Sequence, residues 1–176
     1  MMDPIFNPAA IIAWGKSVGV ATLMSARWGW ASVEVIHFIG ICLLFGTVGM
    51  FDLRMMNAVR GISLMALHRL VPYGVLGFAL CVMTGALFVI AAADQYLYNP
   101  AWQLKMLMLV IAGVNMAAFY LTTFTRLAAL GEDDAPPWTA RLFAAISLLS
   151  WIAAITAGRV ITAYRPPGWF WCAWCQ

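Results

Sequence analysis

The sequence predicts an all-α integral membrane protein: a four-helix bundle with an N-terminal interfacial amphipathic helix. Of its 176 residues, 64% are hydrophobic and only 10% are charged, whereas a soluble domain carries about 25% charged residues. The mean hydropathy is +0.88. Four segments reach the length of about 20 apolar residues that a helix needs to cross a bilayer. Backbone groups in hydrocarbon must bond internally, so these segments are predicted helices.

Residues 1–28 form the predicted interfacial helix. The segment 9–27 is moderately apolar, but Lys16 and two glycines interrupt it. Ile11, Trp14 and Val18 lie near one face, as in a helix that lies flat in the membrane interface. A fifth span is the alternative interpretation of this segment.

The transmembrane bundle is predicted over residues 29–164, and residues 165–176 form an aromatic tail. Prolines help to mark the ends of its spans. Pro72 falls in the first turn of the second span, where its missing N–H does little harm. Asn99-Pro100 opens the third span, and two prolines precede the fourth. The spans are expected at about 30–51, 70–92, 101–123 and 139–163.

Lysine and arginine in the short loops predict the orientation of the chain. Five lie on one side: Arg54, Arg60, Arg69, Arg126 and Arg141. Three lie on the other: Lys16, Arg27 and Arg165. This bias predicts a protein of the bacterial cytoplasmic (inner) membrane with both termini outside, on the periplasmic side. On the cytoplasmic side, Asp52-Leu53-Arg54 is interpreted as a topology anchor, and His68-Arg69 as a solvated interfacial pair.

Ionisable residues cluster in the outer half of the predicted bundle. Glu34 and His37 are three residues apart and share one helix face. At 1.5 Å per residue, His37 lies roughly 10 Å deep. Lys105 and Arg159 each lie about four residues from the outer end of a span, at a comparable depth. His68 lies roughly 20 Å away along the bundle axis, so it is not expected to share an iron atom with His37.

Charged side chains in hydrocarbon are costly, so this cluster indicates a functional site. His37 is the candidate metal ligand, as the axial imidazole of a haem or another tetrapyrrole. Glu34 would hydrogen-bond or relay protons, and Lys105 would be a second ligand or a propionate partner. Arg159 would clamp a propionate. The structural alternative is a set of polar pairs and snorkelling side chains. Glycines in the first two spans are interpreted as packing residues, with room for a macrocycle as the alternative.

The pattern resembles an uncharacterised bacterial family of four-span membrane proteins, a domain-of-unknown-function family. The resemblance rests on Glu34-x-x-His37-x-x-Gly40, on Asp52-Leu53-Arg54, on Trp102-x-x-Lys105 and on Gly158-Arg159. It covers nearly the whole chain apart from the tail, and it implies a fold without an established activity.

A more distant resemblance is to the HemJ-type protoporphyrinogen oxidases and the CopD-like copper-resistance membrane proteins. His37, Arg69-Leu70 and Lys105 stand where HemJ-type sequences carry a histidine, a basic-leucine pair and a lysine. In that family the histidine and lysine are implicated in binding haem b, which the resemblance implies for His37 and Lys105. HemJ-type sequences carry a basic residue at the place of Glu34 and lack the outer N-terminal segment. The resemblance therefore implies the haem site rather than the activity.

Three functions remain open from the sequence. The first is a b-type haem or related tetrapyrrole protein in electron transfer or porphyrin oxidation, with bacteriochlorophyll as a lesser alternative. The second is a non-catalytic accessory subunit of a respiratory or photosynthetic complex, and the third is a CopD-like transporter for copper or a small solute. Expected partners are the lipid bilayer, a quinone, complex subunits or a second copy of the chain. A dispersed net charge of +3 gives no reason to expect nucleic acid. The role of Cys172 and Cys175 in the tail stays open.

Overall fold

The computed structural model describes residues 7–128, 130 and 134–164. These residues fold into helices and contain no strand. Four helical segments are long and apolar enough to cross a membrane. They are Gly29–Met55, Leu64–Ala91, Pro100–Thr122 and Trp138–Tyr164. The predicted all-α four-helix membrane fold is therefore confirmed. The tail 165–176, with Cys172 and Cys175, lies outside the described residues.

The helices follow one another with short connections. In chain order they are α1 (Pro8–Ser17), α2 (Val20–Ser25), α3 (Gly29–Met55), α4 (Leu64–His68), α5 (Val71–Ala91), α6 (Ala93–Tyr96), α7 (Pro100–Thr122), α8 (Phe124–Ala128) and α9 (Trp138–Val160), with a 3₁₀ turn at Ile161–Tyr164. The spanning helices are α3, α5, α7 and α9. Helix α4 leads into α5, and the 3₁₀ turn extends α9.

The N-terminal segment forms two short helices rather than the single predicted one. Gly19 separates α1 from α2 and has a φ of +81°, a left-handed conformation that glycine adopts without steric cost. With 10 and 6 residues, neither helix crosses a bilayer, so the described residues contain no fifth span. Helix α1 packs on α5 at Gly15, where an added Cβ would lie 2.6 Å from the Ile90 side chain. The segment is therefore attached to the bundle.

Two glycines bring α3 and α5 together. A Cβ added at Gly77 would lie 2.5 Å from the Gly40 carbonyl oxygen and 2.7 Å from the Leu44 nitrogen. Only glycine allows backbones to approach so closely. In contrast, a Cβ at Gly46 or Gly85 would meet nothing within 4 Å. Packing therefore explains Gly40 and Gly77, but it does not explain every glycine of these spans.

The bundle consists of two helix pairs. Helix α3 packs extensively on α5, α7 packs on α9, and α3 and α9 join the pairs. Within the described residues, α5 and α7 do not form an extensive contact of this kind. The outer surface is apolar: Leu121, Leu149 and Val114 are 85%, 67% and 65% exposed. A continuous apolar surface of this kind suits a lipid environment rather than water.

Asn99 connects the ends of α7 and α9. Its side-chain oxygen accepts from the Ala101 nitrogen at 3.0 Å and caps α7. Its amide group donates to the Ile161 carbonyl, also at 3.0 Å. Asn99 is 1% exposed, so its polar atoms depend on these partners. The cap therefore also fixes how α7 and α9 meet at this end.

Candidate functional site

His37 lies on the face of α3 that meets α5. Its Nδ1 lies 2.7 Å from the Thr84 hydroxyl. The Phe88 ring stands edge-on to the imidazole, with centroids 5.8 Å apart. One turn before Thr84, Cys81 donates a weak bond from Sγ to the His37 carbonyl at 3.5 Å. Helix α5 therefore holds the imidazole in place.

The Thr84 hydroxyl determines which His37 nitrogen carries the proton. A threonine hydroxyl has one hydrogen to donate. Thr84 Oγ1 lies 2.6 Å from the Leu80 carbonyl, which can only accept. The hydroxyl hydrogen therefore points to Leu80, and Thr84 accepts from Nδ1–H of His37. This geometry leaves the lone pair on Nε2, as in a metal-ligating histidine whose other nitrogen donates to a neighbouring group.

Lys105 extends from α7 toward the same part of the bundle. Its side chain lies along Gly158 of α9, where an added Cβ would be 3.4 Å from Lys105 Nζ. Electrostatic interactions connect the lysine with His37 and Cys81. Lys105 is half-buried rather than exposed, so it does not extend freely to the membrane surface. Lys105 therefore lies near enough to His37 for an electrostatic interaction between them.

The other two predicted site residues have different surroundings. Glu34 and Arg159 are both exposed. Glu34 lies one turn before His37 on α3, and Arg159 follows Gly158 near the end of α9. Glu34 and Arg159 therefore lie at about the same height along the bundle axis as His37 and Lys105, but at the surface of the bundle. Among the described residues, no group of three histidine, cysteine or acidic side chains is arranged to hold a metal ion.

A second polar site lies toward the other end of the bundle and was not predicted from the sequence. Asp52, interpreted above as a topology anchor, is only 2% exposed, and Arg54 is 1% exposed. Arg54 Nε donates to the Ile62 carbonyl at 2.7 Å and so holds the loop after α3. Asp52 lines a cavity of about 190 Å³ among α3, α5, α7 and α9.

Two neutral polar residues accompany Asp52 in the cavity wall. Ser147 of α9 lines the cavity together with Asp52. Asn115 of α7 donates from Nδ2 to the Phe143 carbonyl at 3.0 Å. One carboxyl oxygen, Asp52 Oδ2, is buried and has no hydrogen-bond partner among the described residues. Ser147 and Asn115 are not ionisable, so the pattern of charged residues does not include them, although both are polar residues within apolar spans.

His68, predicted to be part of a solvated pair, packs in an aromatic cluster and is partly exposed. Its Nε2 lies 3.0 Å from the Tyr120 hydroxyl. Rings of Phe51, Tyr120 and Phe124 surround the imidazole at centroid distances of 5.8, 5.9 and 4.7 Å. This cluster joins α3, α4, α7 and α8 at the end of the bundle that Asp52 occupies.

The fold and these sites define the chain as a multi-pass helical membrane protein with polar groups inside its bundle. In comparisons with known proteins, no family model, curated protein or solved structure matches the chain.

Proposed function

We propose that this protein binds a b-type haem, or a related tetrapyrrole, in the outer half of the bundle and takes part in electron transfer or porphyrin oxidation. The observation that carries the proposal is the hydrogen bond from His37 Nδ1 to Thr84, whose own proton is used by the Leu80 carbonyl. It leaves Nε2 as a lone-pair donor on an oriented ring. A haem iron takes only one or two ligands from the protein, so a single positioned imidazole fits this cofactor.

The neighbouring residues have chemistry that suits such a site. Haem, when bound, supplies a one-electron redox centre. The Lys105 ammonium, packed along Gly158, would be the second ligand or pair with a propionate. Arg159, exposed at the end of α9, would bind a propionate through its guanidinium fork. Glu34, exposed one turn before His37, would exchange protons with the outer surface.

The absorption spectrum of the purified protein tests this proposal. Wild-type protein, isolated with haem available during expression, is expected to show a Soret band. Replacement of the ligand in His37→Phe should abolish the band. His68→Phe is the matched control, because His68 already packs among aromatic rings and should leave the band unchanged. A wild-type protein without a Soret band, or a band that survives His37→Phe, would overturn the proposal.

The same spectrum distinguishes the lesser alternative. The imidazole that ligates a haem iron could also ligate the magnesium of bacteriochlorophyll. A bacteriochlorophyll-loaded protein would absorb in the near infrared and lack the reduced-haem bands. A quinone, the subunits of a membrane complex or a second copy of the chain would be the electron-transfer partners. Stoichiometric co-purification of such a subunit, or a dimer mass in nanodiscs, would identify the partner.

The proposed location is the bacterial cytoplasmic membrane, with both termini on the periplasmic side. The support is the arginine bias of the two longer loops. Fusions of a phosphatase that is active only in the periplasm would test it. Activity is expected after Asp94, in the short helix α6 between α5 and α7, and not after Arg60, in the loop between α3 and α4. Activity after Arg60 and not after Asp94 would mean that the chain has the opposite orientation.

A further inference from the structure

We propose that the cavity around Asp52 is a binding site for a lipid-soluble organic cation, a protonated amine attached to an apolar body. This site lies at the opposite end of the bundle from His37 and does not depend on the proposed haem. The starting observation is Asp52 itself, which is 2% exposed, lines the cavity, and has an Oδ2 without a hydrogen-bond partner among the described residues.

The polar atoms of the cavity favour a ligand that donates hydrogen bonds. Asp52 Oδ2 is a buried acceptor without a partner among the described residues, and Ser147 lines the same cavity. The Phe143 carbonyl can only accept, so it faces the amide nitrogen of Asn115. The Asn115 side-chain oxygen therefore remains an acceptor. A buried carboxylate and an amide oxygen together suit an ammonium group, which carries only donors.

The rest of the cavity wall favours an organic cation over a metal ion. Six aromatic rings contribute to this wall: Phe51, Phe78, Phe119, Tyr120, Phe143 and Trp151. A cation over an aromatic face is stabilised by the ring quadrupole, and more strongly where water is excluded. Calcium and magnesium instead prefer several oxygen ligands, whereas the cavity has one carboxylate. The apolar walls would bury the hydrocarbon part of an amine.

The shape of the cavity indicates entry from the bilayer. Its lining runs on α3 from Leu44 to Asp52 and beyond, which is roughly 12 Å at 1.5 Å per residue. Val75 of α5 and Met116 of α7 line it and are also 58% and 53% exposed on the bundle surface. The cavity therefore reaches the lipid-facing surface between α5 and α7. A lipid acyl chain would fill the apolar part but would leave Oδ2 without a donor.

Calorimetric titration of the protein in phosphatidylcholine nanodiscs tests this proposal, with protein-free nanodiscs subtracted. The probes are hexylamine, protonated at pH 7, and hexanol, which is neutral and of the same length. We expect saturable binding of hexylamine and at least tenfold weaker binding of hexanol, because hydrogen bonds to charged groups are about twice as strong as neutral ones. Equal affinity for the two probes, or no saturable binding of the amine, would overturn the proposal.

Two pairs of variants locate the site. Asp52→Asn keeps the size of the side chain and removes its charge, and it should weaken hexylamine binding at least tenfold. The control Asp94→Asn removes an exposed acid and should leave the affinity unchanged. Gly113→Leu should block the cavity, because Gly113 lines it and an added Cβ would meet nothing within 4 Å.

The glycine pair remains informative if Asp52→Asn does not fold. Gly46→Leu is its control, since Gly46 also has open space around it but does not line the cavity. Hexylamine binding that is retained in Gly113→Leu, or lost equally in both glycine variants, would contradict the assignment of the site.

Discussion

A single methyl group at Gly77 should weaken the contact between α3 and α5. In Gly77→Ala, the new Cβ would lie 2.5 Å from the Gly40 carbonyl oxygen, 2.7 Å from the Leu44 nitrogen and 2.9 Å from Leu43 Cβ. All three atoms belong to the backbone or the base of a side chain, so none can rotate away. The two helices must separate until the closest distance reaches the 3.4 Å of an ordinary contact. Overpacking of this kind costs about 1–3 kcal/mol.

Gly46→Ala is a matched control for this substitution. It introduces the same methyl group in the interior of a spanning helix, but its Cβ meets nothing within 4 Å. The gain in helix propensity, up to about 1 kcal/mol, is common to both variants. The difference between them therefore measures the steric cost alone, about 1–3 kcal/mol. Chemical unfolding in detergent, followed by tryptophan fluorescence, gives both free energies of unfolding. Equal stability of the two variants would refute the close packing of α3 on α5.

Three further predictions concern the polar groups. Thr84→Val removes the acceptor for His37 Nδ1–H, and loss of such a supporting bond should weaken haem binding 10- to 100-fold; a haem titration that gives wild-type affinity would contradict the tautomer assignment. Lys105→Met should change the coordination spectrum if Lys105 is the second ligand. If Lys105 pairs with a propionate, the same variant should weaken haem binding without that change. The control Lys16→Met replaces an exposed lysine and should have neither effect. Asn99→Ala removes a buried cap and the bond to Ile161 and should lower the free energy of unfolding by about 2 kcal/mol. The control Asn7→Ala removes an exposed cap and should lower this free energy by less. An equal loss in both variants would argue against the contact that Asn99 makes between α7 and α9.

Hydropathy predicts the spanning helices well because lipid compatibility is a property of each segment by itself. The third span was expected at about 101–123 and is found at Pro100–Thr122. The first was expected to end near residue 51, but α3 continues to Met55. The extra turn contains Asp52 and Arg54, which are buried within the bundle. Their charge predicted a place at the membrane surface, and their burial among other helices could not be predicted from the charge.

The candidate sites were predictable in part for a related reason. Depth along a helix follows from residue number, so His37 and Lys105 could be expected at one level. The direction in which each side chain faces within the bundle does not follow from residue number. Glu34 and Arg159 lie on exposed faces. Asn115 and Ser147 are polar residues in two further spans, and their depth can also be estimated from residue number. That Oδ2 of Asp52 lacks a partner could not be predicted in this way, because it depends on how the surrounding helices pack.

The two helix pairs explain why both proposed sites use α5 and α7. The glycine contact between Gly40 and Gly77 leaves no space for a ligand between α3 and α5, and α7 packs extensively on α9. Helix α5 and helix α7 do not form an extensive contact in the described part of the chain. Thr84 of α5 contacts His37 in one half of the bundle, where Lys105 extends from α7. In the other half, Val75 of α5 and Met116 of α7 both line the Asp52 cavity. A ligand that enters from lipid would therefore separate α5 from α7 and leave the α3–α5 contact, which orients His37, unchanged.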